Sequence, residues 1–451
     1  MTHNHDDGEA TCEVCAMDLD FDLPERLFEE AAKGKVVIFA GAGISTESRS
    51  VFPQTFYSEI RAELSDPASL ADASFPDVME RYCALRSRSE LIQLIRSRFD
   101  YADSYYEIRN RATAFHRELA TIPFISTIVT TNWDTFFEDE CGALPLVTPD
   151  DYPYWDMPGR RVLKIHGSIS NVGTLVATTG DYESCYRRLR TGILGSSLQH
   201  LLATNTVVFV GYSLQDPDFV RLYRLLRKQL GPYMPHSYVV GLEDSDRPPA
   251  FLDAEFVRTS GAHFVRTMKR KLVEADLMLD DALLDEIHQL HQRVRQANIL
   301  MYDKVLPRDY PAVIFAASYQ NGLEHVFQRI SVRSSHGEYM TAEDVHRRVH
   351  AYGHALSDAR KQRQFTEVAY IEGVINGLVS LLVSPNDHKE LPLYYIFGSK
   401  VDLTTEAKFF RELKRAPALH KSAYRYAERR VRNSGALVLR HPPWLSVSST
   451  S

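Results

Sequence analysis

Four short clusters of this sequence hold residue types that chemistry needs. They are Gly41-Ala42-Gly43-Ile44-Ser45, Thr130-Thr131-Asn132-Trp133-Asp134, Ile165-His166-Gly167-Ser168 and Gly211-Tyr212-Ser213-Leu214-Gln215-Asp216-Pro217-Asp218. A glycine turn lets backbone N–H groups approach a pyrophosphate, and a helix starting behind it adds the positive end of its dipole. The same glycines also serve a tight strand-to-helix turn with no ligand. An imidazole ordinarily titrates near neutrality and can take a proton from a nucleophile, which is the chemical reading of His166. A satisfied structural histidine is the alternative. Asn132 is neutral, both donor and acceptor, and can hold a hydroxyl or a water. Asp134 suits either a ligand contact or the cap of the following helix.

The elements that must position these clusters are apolar runs ending just before them. Residues 36–39 form a continuous apolar run of the kind buried on both faces of a sheet. Runs at 124–129, 162–165, 206–210 and 237–240 repeat the pattern. Helical patterns lie between them, at 23–33 before Gly34 and through Leu222, Leu225, Leu226 and Leu230 after Pro217. Alternating strands and helices predict an α/β fold: a Rossmann-like parallel sheet with helices on both faces. Such sheets bind ligands outside the carboxyl ends of their strands, where all four clusters fall. From about residue 275 the pattern turns to long helices, at 281–300 and within 341–384, with Thr341 and Asp344 near a helix start. Pro385-Asn386-Asp387 breaks the chain, residues 393–397 read as a lone strand, and basic helix follows. The expected division is an N-terminal segment (1–22), a nucleotide-binding domain (23–275) and a mostly helical region (276–451) for oligomerisation or partner binding.

With 451 residues, 44% hydrophobic and 25% charged, the chain has globular composition, and a net charge of −7 argues against direct nucleic-acid binding. The basic residues Lys408, Arg411, Lys414, Arg415, Lys421, Arg425, Arg429, Arg430 and Arg432 read as a solvated helical face or a surface for an acidic partner. The longest apolar stretch, 374–383, is too short to span a membrane. No secretory signal pattern opens the chain, and five cysteines point to reduced thiols in a cytoplasm. Cys12 and Cys15, with His3 and His5 upstream, are candidate metal ligands lacking the second half of a zinc finger. His346, His350 and His354 recur every fourth residue, either as ligands or as an exposed helix stripe. Tyr152, Tyr154 and Trp155 precede the histidine strand and suit either a pocket cover or an interface.

GAGIS, TTNWD, IHGS and GYSLQDPD, in that order, resemble the GAGIS, TQNID, HG and GTS motifs of sirtuins, over roughly residues 30–270. The resemblance implies that Gly41, Ala42 and Gly43 cradle the NAD+ pyrophosphate with Ser45 nearby. It implies that Asn132 positions the nicotinamide ribose and the attacking nucleophile, that Asp134 helps hold the carboxamide, and that His166 is the general base. Gly211 and Ser213 would contact the adenosine ribose. Two departures matter. The GIPDFR segment that usually follows GAGIS is missing, so the role of its arginine has no holder. Between His166 and Gly211 only Cys185 is present, so the structural zinc of deacylating sirtuins, held by two CxxC pairs, is not expected. GYSLQDPDF and the TTNWD-type motif look like the divergent sirtuin-like NADase domains of bacterial anti-phage defence proteins. That likeness implies an NAD+ glycohydrolase acting as an abortive-infection effector, with NAD+ as substrate, a homo-oligomeric assembly, and control by a companion ATPase or sensor or a phage-derived trigger. Protein deacylation or ADP-ribosyl transfer, and a non-catalytic NAD or ADP-ribose sensor, are the competing expectations.

Overall fold

The computed structural model describes residues 18–64, 73–214, 216–243 and 246–434. Cys12, Cys15, His3 and His5 lie outside them. The chain divides into two compact units, Met1–Glu274 and Ala275–Ser451.

Unit 1 is built on seven parallel strands: β1 (Val36–Ala40), β2 (Thr127–Thr130), β3 (Leu144–Leu146), β4 (Arg161–Lys164), β5 (Thr206–Val210), β6 (Ser237–Gly241) and β7 (Ala254–Arg258). Their spatial order is β3-β4-β2-β1-β5-β6-β7. Every residue of β1 and β5 is buried, as expected where helices cover both faces of a parallel sheet. On one face Val37, Phe39, Val129, Leu163, Val207 and Phe209 pack with Leu189, Leu198, Phe219 and Leu222 of the helices Thr179–Thr191, Ile193–Thr204 and Pro217–Leu230. The chain leaves β1 toward β2 on one side and returns at β5 on the other. The strand order thus reverses between β1 and β5, the switch point where such sheets accept ligands.

Between β1 and β2, the helices Phe56–Glu63, Phe75–Leu85 and Arg88–Ser104 share a small core of Ile60, Val78, Met79, Leu91 and Ile95, with Trp133 packed against it. One local expectation fails here. No long helix follows the glycine turn directly: Ala42–Ile44 is a single 3₁₀ turn, and the next α-helix begins only at Phe56. Ser48, Ser50 and Pro53 favour turns over helix, so a helix dipole is not supplied at that point.

Unit 2 is helical, with helices Asp281–Lys304, Val313–Arg333, Ala342–Lys361, Phe365–Val379, Glu406–Leu419 and Lys421–Ser434. The Thr341 hydroxyl accepts the Asp344 N–H at 3.2 Å and caps its helix as expected. Val313–Arg333 and Phe365–Val379 cross closely because both are glycine at the contact: a Cβ on Gly322 would lie 2.1 Å from the Tyr370 carbonyl oxygen, and one on Gly373 2.1 Å from that of Tyr319. Residues 393–397 are not a strand. The Leu393 and Tyr394 N–H groups both donate to the Leu403 carbonyl, and aromatic packing rather than a sheet ladder uses their side chains. His346, His350 and His354 are exposed on their helix, the last two with ring centroids 4.5 Å apart. Among the described residues no helix is long and apolar enough to cross a membrane.

Candidate active site

The loops after β1 and β5 lock together through glycine. The Gly41 N–H donates to the Val210 carbonyl at 3.0 Å, and the Gly43 N–H to the Gly211 carbonyl at 2.9 Å. Gly211 sits at φ +57°, in the left-handed region that glycine enters without penalty. A Cβ on Gly41 would lie 2.4 Å from the Gly211 oxygen, and one on Gly211 2.5 Å from the Ile44 nitrogen. The three glycines are thus required by each other, and the Gly41 and Gly43 donors are engaged within the chain. Ala42 and Gly43 remain at least partly exposed on the turn, as does Ser213 beside Gly211.

Ser45 ends the turn and is fully buried. Its hydroxyl donates to Asp134 Oδ2 at 3.3 Å and accepts from Asn132 Nδ2 at 3.4 Å. Asn132 arrives from β2, whose last residue, Thr130, donates its hydroxyl to the Ala40 carbonyl and accepts the Asn132 N–H at 3.0 Å. Asn132 is only 3% exposed, yet its Oδ1 has no hydrogen-bond partner among the described residues. A buried amide oxygen left so costs stability, which marks it as waiting for a donor. Asp134 Oδ1 accepts the Phe136 N–H at 3.2 Å, so this carboxylate caps the short helix Phe136–Cys141 as well as holding Ser45. Burial pushes the Asp134 carboxyl above the usual carboxylate range, opposed by Lys164, the Phe136 N–H and Ser45.

Lys164, the last residue of β4, has a fully buried side chain. Its ammonium donates to the Asp134 carbonyl and to Glu138 Oε1, the latter at 2.9 Å. It fixes the backbone that carries Asp134 from below the sheet end. Two residues on stands His166, 4% exposed, its ring edge-on to Tyr182 with centroids 5.0 Å apart. His166 Nε2 lies 3.7 Å from Asp216 Oδ2, too long for a hydrogen bond but close enough for an ion pair once the ring is protonated. Burial lowers the His166 pKa, Asp216 opposes this, and Arg188 adds to the lowering. Asp216 Oδ1 accepts the Phe219 N–H at 3.1 Å and caps the helix Pro217–Leu230. The chain of contacts Gly43–Gly211, Ser45–Asn132, Ser45–Asp134 and His166–Asp216 therefore ties all four sequence clusters to one end of the sheet.

Residues 126–260 match the family model of the SIR2-like domain. This chain carries a SIR2-like domain. It is 30% identical over 223 residues to the NAD(+) hydrolase ThsA of Enterococcus faecium, covering 46% of this chain and 42% of that protein. It is 28% identical over 233 residues to the NAD(+) hydrolase ThsA of Cytobacillus dafuensis, covering 49% of this chain and 44% of that protein. The match thus spans less than half the length of either relative. A solved structure from work on Sir2 enzymes aligns with 55% of this chain and 97% of its own, at 13% identity and a TM-score of 0.28. The SIR2-like region holds Asn132, Asp134, His166, Gly211 and Ser213, while Gly41, Ala42, Gly43 and Ser45 precede it.

Three further residues escape the motif reading. Asp216 sits inside the quoted GYSLQDPD stretch, where an Asp before Pro reads only as a helix cap. Lys164 is legible as a lysine closing an apolar run, a costly residue to bury without a purpose. Arg98 carries no local signal. It is buried, and donates to the carbonyls of Thr46 at 3.0 Å and Gln54 at 2.8 Å and to Glu59 at 2.8 Å, clamping the loop that stands where sirtuins have GIPDFR. Tyr152 and Trp155 stack on each other, and Arg161 lies over Trp155, so these rings brace the approach to β4. Among the described residues no group of three or more His, Cys, Asp or Glu could hold a metal. Cys185 is buried, its thiol directed at the Ile165 carbonyl.

Proposed function

We propose that this protein is an NAD+ glycohydrolase: NAD+ and water give nicotinamide, ADP-ribose and a proton. The observation that carries the reading is the buried Asn132 amide, held by Ser45 at the same sheet end as His166, whose Oδ1 lacks a partner among the described residues. A ribose hydroxyl or the attacking water supplies the donor that Oδ1 lacks. Cleaving the nicotinamide–ribose bond builds positive charge on the ribose while a neutral ring departs. His166 takes the proton of the attacking water as general base. Burial lowers its pKa and so favours the neutral ring, the form able to accept that proton. The Asp216 carboxylate stabilises the imidazolium that results. Ala42, Gly43 and Gly211 border the pyrophosphate and adenosine side, and Asp134 the carboxamide side. The names of the two ThsA relatives support the same chemistry.

The missing CxxC pairs favour water over an acyl-lysine as acceptor. We place the activity in cytoplasmic anti-phage defence, as an abortive-infection effector working as a homo-oligomer under a companion sensor or phage trigger, on the likeness of GYSLQDPDF and TTNWD to such proteins. Product analysis tests the chemistry. Purified protein incubated with NAD+ and an acyl-lysine peptide should yield equal nicotinamide and ADP-ribose and leave the peptide acylated. Deacylated peptide appearing in step with nicotinamide would replace hydrolysis by deacylation. Phage challenge of cells expressing the protein should be accompanied by NAD+ loss, and intact NAD+ with full protection would remove the suicidal role.

A further inference from the structure

Unit 2 contains a cavity of about 590 Å³ walled by Arg360, Arg363, Phe365, Tyr395, Phe397 and His420. Its most unusual wall is Arg363. The helix Ala342–Lys361 ends in a paired closure, with the Arg363 N–H on the Arg360 carbonyl at 3.1 Å and the Gln364 N–H on the Ala359 carbonyl at 2.9 Å. The residue completing such a closure is left-handed and usually glycine. Here it is an arginine at φ +54°. A side chain in that conformation is strained, and strain of this kind persists where the side chain has a task. Arg360 is tied to Glu372, whereas no ion pair to a described residue engages Arg363.

Aromatic rings line the same cavity. Phe397 meets Phe365 edge-on at 5.1 Å and His420 at 4.8 Å, and Tyr395 stacks on Tyr319 at 5.6 Å. His420 Nδ1 accepts the Ala423 N–H at 3.1 Å, which puts the ring proton on Nε2 and starts the helix Lys421–Ser434 at the cavity edge. A guanidinium and a histidine donor suit a phosphate, and ring faces suit a base. The volume fits one nucleotide.

We propose that this cavity binds a nucleoside phosphate, with the phosphate on Arg363 and the base against Phe397 and Tyr395. Titration calorimetry of the full chain with AMP, adenosine and inorganic phosphate, together with thermal melts, tests it. AMP should bind more tightly than either fragment. Arg363→Gly should raise the melting temperature, because glycine relieves the left-handed strain, and weaken AMP binding by roughly tenfold or more. Phe397→Leu should weaken AMP but not phosphate, and Asn132→Ala should leave AMP binding in place. AMP affinity untouched by Arg363→Gly, phosphate binding as tightly as AMP, or no heat from any probe would each overturn the assignment. So would binding confined to a polynucleotide or an acidic peptide.

Discussion

Replacing Gly211 by alanine probes the interlock on which the site depends. The new methyl would lie 2.5 Å from the Ile44 nitrogen, 2.7 Å from Ile44 Cγ2 and 2.8 Å from the Gly43 carbonyl carbon. Non-bonded carbons rest at about 3.5–4.0 Å, so the turn after β1 must retreat by roughly 1 Å. The left-handed backbone at φ +57° adds strain of about 1–2 kcal/mol for a residue with a Cβ. Overpacking against backbone adds about 1–3 kcal/mol, so the substitution should destabilise unit 1 by roughly 2–5 kcal/mol. The retreat also carries Ser45, and with it Asn132 and Asp134, out of register with His166. A misplacement near 1 Å costs about 10²-fold in rate where geometry governs the step. Urea unfolding followed by circular dichroism gives the first quantity, and nicotinamide release at saturating NAD+ the second. Wild-type stability and turnover in Gly211→Ala would show that the two loops do not need this contact. Lost stability with unimpaired turnover would refute only the coupling to catalysis.

Three other outcomes follow from the same contacts. Asp216→Asn keeps the helix cap but removes the charge facing His166; because Asp216 holds the His166 pKa up against burial, the acid limb of kcat/KM should move to lower pH while kcat falls. An unshifted limb would exclude Asp216 as the partner of the base. Lys164→Met strips the buried cation from half-buried Glu138 and should cost about 3 kcal/mol in denaturant melts, partly recovered by adding Glu138→Gln. His116 is buried among Phe115, Phe136 and Phe137, and burial, with Arg109, Lys164 and Arg117 nearby, lowers its pKa from 6.5 to about 3. Stability from keeping it neutral is present above the unfolded value and lost as pH falls, at about 1.4 kcal/mol per unit. His116→Leu should flatten the stability curve between pH 6.5 and about 3 by one proton's slope, and an unchanged curve would contradict the burial account.

The central strands were legible because β1 is an unbroken apolar run of five residues and β5 one of four after Thr206. The edges were not. β3 is Leu144–Leu146 with a proline at its centre, and β7 alternates weakly at Ala254–Arg258, since an edge strand buries only one side of its ladder. Val313–Arg333 is buried nearly all round, so it lacks the one-sided stripe that announces a surface helix. Asn132 and His166 could be picked out because their clusters sit at strand ends. Lys164 shows in sequence only as a cation closing an apolar run, its partner Glu138 lying 26 positions away. Arg98 and Asp216 could not be picked out, because their partners are carbonyls and a carboxylate 39 to 52 positions away in sequence, or a histidine in the loop after β4. The glycines illustrate a subtler gap. Their spacing suggested a phosphate cradle, whereas the fold first uses Gly41, Gly43 and Gly211 to pack two turns against each other.

The most direct measurement is nicotinamide release from NAD+ by the wild-type chain beside Asn132→Ala and His166→Ala, with melts confirming that all three fold. The account predicts steady release by the wild type and its near-complete loss in both variants. Equal release by all three would mean that another group breaks the glycosidic bond, and the site described above would not be the active site.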